Sequence, residues 1–326
     1  MKKLLSLGIS GGFLAILYSY LDVGAIGTVL VNVNWHWLGP AFVLFVLLTI
    51  MPAFRLTWLT PGEHGLSVGE SLRLILSAAV FNMITPSRMG DLIKAYFMTL
   101  RTGMRGSTAL SISVFEKSVD MIGLLFWCVT GLAFYGTGDL FYWAALIVTL
   151  SGLAILVALV FAGKKVLGLL RPILPSGLIH CFEPFVEAWA GVHNHMHDNP
   201  ARFYGIVLYS VALWFLHLVQ LWMFIMALGS PVPFGPAVGL LPLGLLAGLV
   251  PLTFAGVGTR DAALVFLFAP WLSTETAAAL GLLATSRYIL PAIAGAPFVG
   301  PYMNIGFEKL RDWRNDVERI NRCRML

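Results

Sequence analysis

Apolar residues run through this chain in long blocks rather than in the narrow stripes of a soluble fold. The longest, Val232–Trp271, spans forty positions whose charged residues are Arg260 and Asp261. One bilayer crossing takes about 20 apolar residues, so this block is long enough to enter and leave. Pro251, Gly256 and Gly258 interrupt it near the middle, just ahead of the two charges. Broken backbone at membrane depth persists where protein or a watery cavity satisfies the freed amides and carbonyls. The pattern therefore predicts a re-entrant helical hairpin with a Gly-rich elbow. A second interrupted block, Ser71–Leu100, breaks at Thr85-Pro86-Ser87-Arg88-Met89-Gly90. Its two arms, Leu72–Ile84 and Asp91–Leu100, are each too short to cross, and they predict a second hairpin.

The other blocks predict six crossings, at about 4–21, 35–58, 108–134, 141–163, 203–228 and 276–303. Trp35 and Trp37 stand where an aromatic belt opens the second of these. The first begins Met1-Lys2-Lys3 and carries no small-x-small cleavage site, so it is expected to be an uncleaved span. Between the fourth and fifth crossings lies a linker, 163–202, in which Phe182, Phe185, Val186 and Trp189 recur at helical spacing. Such a stripe predicts an amphipathic helix lying on the membrane surface. A basic tail, 306–326, closes the chain.

Charge orients this arrangement. All of the 21 Lys and Arg except Arg88, Lys117, Arg260 and Arg287 fall in the start, the tail, the linker, or the first hairpin's base and flanks. The loops at 22–34, 135–140, 229–236 and 270–275 carry none. The positive-inside rule then places both termini in the cytosol. Six crossings satisfy this when each hairpin enters and leaves on one side, the first from the cytosol and the second from outside. The domain 1–305 thus divides into inverted halves, about 1–135 and 140–305. Each half holds two crossings, a hairpin and a further crossing. Paired Gly/Pro-interrupted segments in inverted halves point to a binding site at the repeat interface.

Composition sets the class. The chain is 58% hydrophobic and 11% charged over 326 residues, against about 25% charged in soluble domains. The fold class is an all-α polytopic membrane protein: six transmembrane helices plus two re-entrant hairpins in an inverted repeat. Cys128, Cys181 and Cys323 form no close pair and no metal-ligand spacing. The triplet His193, His195 and His197 sits on the polar linker without a second ligand cluster. No metal and no cofactor are expected. Gly256-Val257-Gly258 lacks the third Gly of a nucleotide loop and any surrounding βαβ unit, and no nucleic-acid partner is expected. No catalytic nucleophile–base constellation emerges either. His217, within the fifth crossing, is expected to hydrogen-bond between helices.

The charges at membrane depth are Arg88, Lys117, Arg260 and Arg287 against Asp91, Glu116, Asp120 and Asp261. They sum to zero, as a compensated buried cluster should. Arg88 with Asp91 and Lys117 with Asp120 have the i,i+3 spacing of local pairs. Arg260 and Asp261 are adjacent and are expected to point apart, each toward another partner. Glu116 and Asp120 share a helix face and repel unless a cation or proton lies between them. Two readings remain open at this point. One is a static ion-pair network that locks the hairpins. The other is a polar cavity in which Arg88, Arg260, Arg287 and Lys117 bind a lipid headgroup phosphate. In it Asp91, Glu116, Asp120 and Asp261 compensate charge, and Pro86, Gly90, Gly256 and Gly258 form the elbows.

Three ordered motifs carry a resemblance: Pro86-Ser87-Arg88-Met89-Gly90-Asp91, Glu116-Lys117-Ser118-Val119-Asp120 and Gly256-Val257-Gly258-Thr259-Arg260-Asp261-Ala262-Ala263. Over about residues 10–305 the chain resembles the lysylphosphatidylglycerol synthase transmembrane family, the flippase-like membrane domain of the multiple peptide resistance factor. The chain departs from the family's usual Glu-Arg at Glu116-Lys117, and from its frequent Glu at Asp91 and Asp261. The resemblance implies a standalone member in the plasma (inner) membrane that moves a phospholipid or lipid-linked headgroup between leaflets. The soluble aminoacyl-transferase domain of full-length members is not seen, so lysyl transfer is not implied. The alternative is a membrane-embedded enzyme or accessory subunit of glycolipid or hopanoid synthesis. Membrane lipids with anionic or phosphate-bearing headgroups are the expected partners. A second copy of the chain and lipid-biosynthesis enzymes are the protein partners left open.

Overall fold

A computed structural model describes residues 23–84, 90–135, 139–170, 189–190, 192–194, 199–249 and 258–323, with 162–170 and 305–323 described as backbone alone. The predicted first crossing, most of the linker stripe, His195 and His197 lie outside the described residues. So do the elbow residues Pro86, Arg88 and Gly256. Every regular element among the described residues is helical.

A short helix α1 (Val23–Val31) leads into α2 (Trp35–Leu59). Asn34 caps α2 by accepting a hydrogen bond from the His36 amide at 3.0 Å, as an N-cap side chain does. Two short helices follow, α3 (Val68–Ile84) and α4 (Gly90–Thr102). Ser67 and Glu70 form a capping box at the start of α3,. The long helices α5 (Gly106–Tyr135) and α6 (Leu140–Leu170) come next. Beyond the linker, α7 (Pro200–Ala227) starts with Pro200 behind the Asn199 cap, where the missing proline amide costs nothing. A second short pair, α8 (Phe234–Ala247) and α9 (Thr259–Phe268), precedes α10 (Thr274–Cys323). The backbone of α10 runs on through residues 306–323 of the predicted tail.

Five of these helices (α2, α5, α6, α7 and α10) hold apolar stretches long enough to cross a membrane. Their burial pattern inverts that of a soluble bundle. On α6, Leu140, Ile147, Val148 and Ile155 are more than 60% exposed. Meanwhile Arg55, Lys94, Glu116, Arg260 and Asp261 are buried. Outward aliphatic side chains and inward charges are what a hydrocarbon solvent selects.

The most extensive helix contacts are reciprocal. α3, the first arm of the first short pair, packs on α10, and α8, the first arm of the second, packs on α5. Both contacts bring backbone to backbone. A Cβ on Gly295 of α10 would lie 2.0 Å from the Leu76 carbonyl oxygen, and one on Gly131 of α5 would lie 2.1 Å from the Gly239 amide. Where lipid supplies no hydrophobic drive, such small-residue contacts let helices approach closely. The helices α2 and α7 also pack on each other. One residue of the predicted linker stripe packs into the helical bundle. Trp189 is buried to 2% exposure and packs on Phe115 of α5 at 5.6 Å.

Candidate functional site

The site grows from α5, where Glu116 and Asp120 stand one turn apart. The cation needed between them is Arg55, reaching in from α2. Its Nη2 donates to Glu116 Oε1 and to Asp120 Oδ2, both at 3.0 Å. Its Nη1 donates to Asp120 Oδ1 and, at 3.0 Å, to Ser210 Oγ of α7. From α4, Lys94 Nζ donates to Glu116 Oε2 at 2.5 Å and lies 3.6 Å from Asp91 Oδ1. Lys117 Nζ reaches Asp91 Oδ2 at 3.1 Å. Among the described residues, three cations and three carboxylates from α2, α4 and α5 therefore close into one neutral network. Removing one partner from such a network strands a buried charge, at a cost of about 3–5 kcal/mol.

A tight helix junction sets the register of α4. The Gly90 amide donates to Asn82 Oδ1 at 2.8 Å. A Cβ at Gly90 would lie 2.2 Å from the Ala78 carbonyl oxygen. This close approach pins the start of α4 on α3 and turns Asp91 and Lys94 toward α5.

The network lines a cavity of about 200 Å³ between α2, α3, α4, α5 and α7. Its walls also carry Asn82, Trp214 and His217. Exposure rises outward across the six charges. The side chains of Arg55, Lys94 and Glu116 are 2%, 5% and 7% exposed, whereas Asp91 reaches 30% and Lys117 reaches 57%. Lys117 sits three turns into α5, about 16 Å from its first residue at 1.5 Å per residue. It lies in the middle of one of the five helices long and apolar enough to cross a membrane. An exposed ammonium there needs a polar, water-reachable cavity.

Arg287 of α10 meets the same wall through a hydrogen bond from its Nη2 to His217 Nδ1. This is the interhelical role expected of His217, linking α7 to α10.

Arg260 and Asp261 form a separate, buried unit. They do not point apart. Arg260 Nε and Nη2 donate to Asp261 Oδ1 at 2.9 and 2.6 Å. The cause is the first turn of α9. Asp261 Oδ2 accepts from the Gly258 amide at 3.2 Å, with Gly258 at φ 104°, and this brings the carboxylate beside the guanidinium. Arg260 Nη2 also donates to the Gly281 carbonyl at 2.8 Å and to Thr285 Oγ1 at 2.6 Å, both on α10. Its guanidinium carbon lies 5.9 Å from the centre of the Tyr288 ring. Neither residue lines the cavity.

Of the residues singled out in the sequence, the cavity gathers Asp91, Glu116, Lys117 and Asp120, with Arg287 behind His217. Lys117 bridges to Asp91 on α4, and Asp120 takes Arg55. Gly90 and Gly258 stand at the starts of α4 and α9. Arg55 and Lys94 were assigned to helix ends and hairpin flanks, yet both are core members of the network. Two signals were available: Arg55 lies inside an unbroken apolar run, and Lys94 stands i+3 from Asp91. His193 bonds to the Phe161 carbonyl at 3.3 Å.

An apolar exterior around buried charge, carried on helices long enough to cross a bilayer, defines an integral, all-helical, polytopic membrane protein. Residues 3–295 match the lysylphosphatidylglycerol synthase TM region, and the chain belongs to that family. It is similar to a UPF0104 membrane protein of Methanocaldococcus jannaschii, at 23% identity over 90% of this chain and 93% of the relative. A UPF0104 membrane protein of Methanothermobacter thermautotrophicus is likewise 23% identical, over 72% of this chain and 74% of the relative.

Proposed function

We propose that this protein moves a phospholipid or lipid-linked headgroup between the leaflets of the plasma membrane. The observation that carries the reading is the Lys117–Asp91 pair, partly exposed at the rim of a neutral charge network and lining a cavity. A static lock has no use for an exposed member. A headgroup crossing a bilayer needs a polar stopping place of this kind, because its desolvation is the main barrier.

The reciprocal packing of α3 on α10 and α8 on α5 supports two inverted halves, each hairpin held by the other half's last crossing. In this arrangement there are six crossings and two re-entrant hairpins, with both termini cytosolic. Lys117, with Arg287 beyond His217, supplies positive charge toward a phosphate. Arg55, Glu116, Asp120 and Lys94 hold the cavity wall. Arg260 and Asp261, with partners supplied by their own chain, lock the second hairpin to α10.

The test is lipid movement in vesicles reconstituted with the purified chain, read by dithionite quenching of an acyl-labelled phospholipid. Wild-type protein should accelerate exchange, and Lys117→Gln should slow it while the protein still folds. Exchange no faster than in protein-free vesicles would refute the reading.

A further inference from the structure

The six-charge network is not uniform, and its division says which headgroups suit it. The inner part is self-contained. Arg55 and Lys94 neutralise Glu116 and Asp120, every carboxylate oxygen of those two acids accepts a hydrogen bond, and all three of Arg55, Lys94 and Glu116 are closed off. Among the described residues, the outer part is one cation and one anion, Lys117 and Asp91, at 3.1 Å and partly open. This outer pair can separate without stranding the inner charges, and Asp91 then still has Lys94 at 3.6 Å.

Charge conservation decides what can separate the pair. A ligand with a single negative charge takes Lys117 and leaves Asp91 with one cation fewer. A ligand with a single positive charge does the reverse to Lys117. A headgroup bearing both a phosphate and an ammonium replaces each lost partner, so every side chain keeps its number of opposite charges. Ethanolamine-sized headgroups suit the space, since a cavity of about 200 Å³ holds several water-sized volumes of about 30 Å³ each.

We propose that the rim selects a dipolar phosphate–ammonium headgroup, with phosphate on Lys117 and ammonium on Asp91. This assignment rests on the lipid-movement reading above and names its substrate class. It makes Asp91 a specificity-determining residue rather than a passive counter-ion. The same chemistry occurs in a membrane lipid and in its soluble, deacylated headgroup, and the experiment separates the two sources.

The first arm compares reconstituted vesicles carrying acyl-labelled phosphatidylethanolamine or phosphatidylglycerol. Wild-type protein should move the ethanolamine lipid faster, by roughly tenfold, the equivalent of about 1.4 kcal/mol. Asp91→Asn should abolish this preference, and the exchange of both charges, Asp91→Lys with Lys117→Asp, should restore part of it. Equal rates in wild-type protein, or faster glycerol lipid, would overturn the assignment and point to Arg287 as an additional anion partner. The second arm titrates the detergent-purified chain with soluble glycerophosphoethanolamine and with glycerophosphoglycerol. Selective binding of the first, without lipid movement, would sink the transport reading and leave the headgroup site standing. Binding of neither, in a chain that moves both lipids alike, would sink the headgroup assignment and leave transport standing.

Discussion

Replacing Gly295 by alanine tests whether α3 is fastened to α10 through its backbone. An added Cβ would sit 2.0 Å from the Leu76 carbonyl oxygen, 2.5 Å from its carbonyl carbon and 3.2 Å from its Cα. Ordinary contact begins near 3.4 Å, so the shortfall is about 1.4 Å. Because all three atoms belong to the backbone, no rotamer change relieves the clash, and α3 must shift bodily. Overpacking of this kind costs about 1–3 kcal/mol and sometimes more. Against it stands the gain in helix propensity on exchanging Gly for Ala, about 1 kcal/mol.

Gly300 supplies the control on the same helix, since a Cβ there meets nothing within 4 Å. Gly300→Ala should therefore be neutral or stabilising by up to about 1 kcal/mol. The two variants are expected to differ by about 1–3 kcal/mol in equilibrium unfolding titrations in mixed micelles, Gly295→Ala being the weaker. Leu76→Ala should not rescue Gly295→Ala, because the obstructing atoms are not in the side chain. Lipid movement should fall with Gly295→Ala as well, since Ala78 and Ala79 of α3 line the cavity. A Gly295→Ala protein as stable as Gly300→Ala would refute the fastening.

Two further substitutions probe the charges. Arg55→Met takes away the cation between Glu116 and Asp120, and a loss of about 3–5 kcal/mol is expected. Adding Asp120→Asn should recover part of it in thermal denaturation, whereas an Arg55→Met protein of wild-type stability would show that the network does not need its centre. Arg260→Ala should destabilise to a similar degree by stranding Asp261. The double change with Asp261→Ala should be milder than the single one, and strictly additive losses in a double-mutant cycle would break the proposed lock.

The sequence by itself determined the membrane class, the two interrupted blocks and the acids that share a face of α5. These are local properties. Apolar run length decides whether a segment crosses, Gly and Pro decide where it breaks, and a spacing of four puts Glu116 and Asp120 on one side of a helix. The tertiary structure decided which cation answers which acid. Arg55 lies 65 residues from Asp120 and looked like the end of a crossing, while Lys94 looked like part of a basic flank, and helix packing carried both inside. Arg260 and Asp261 were expected to diverge along the helix. The first turn of α9, with its Gly258 amide and its contacts to α10, joined them instead. Hydropathy is written in the order of residues along one segment. Charge compensation depends on which segments become neighbours, and the backbone contacts at Gly90, Gly131 and Gly295 fix that choice.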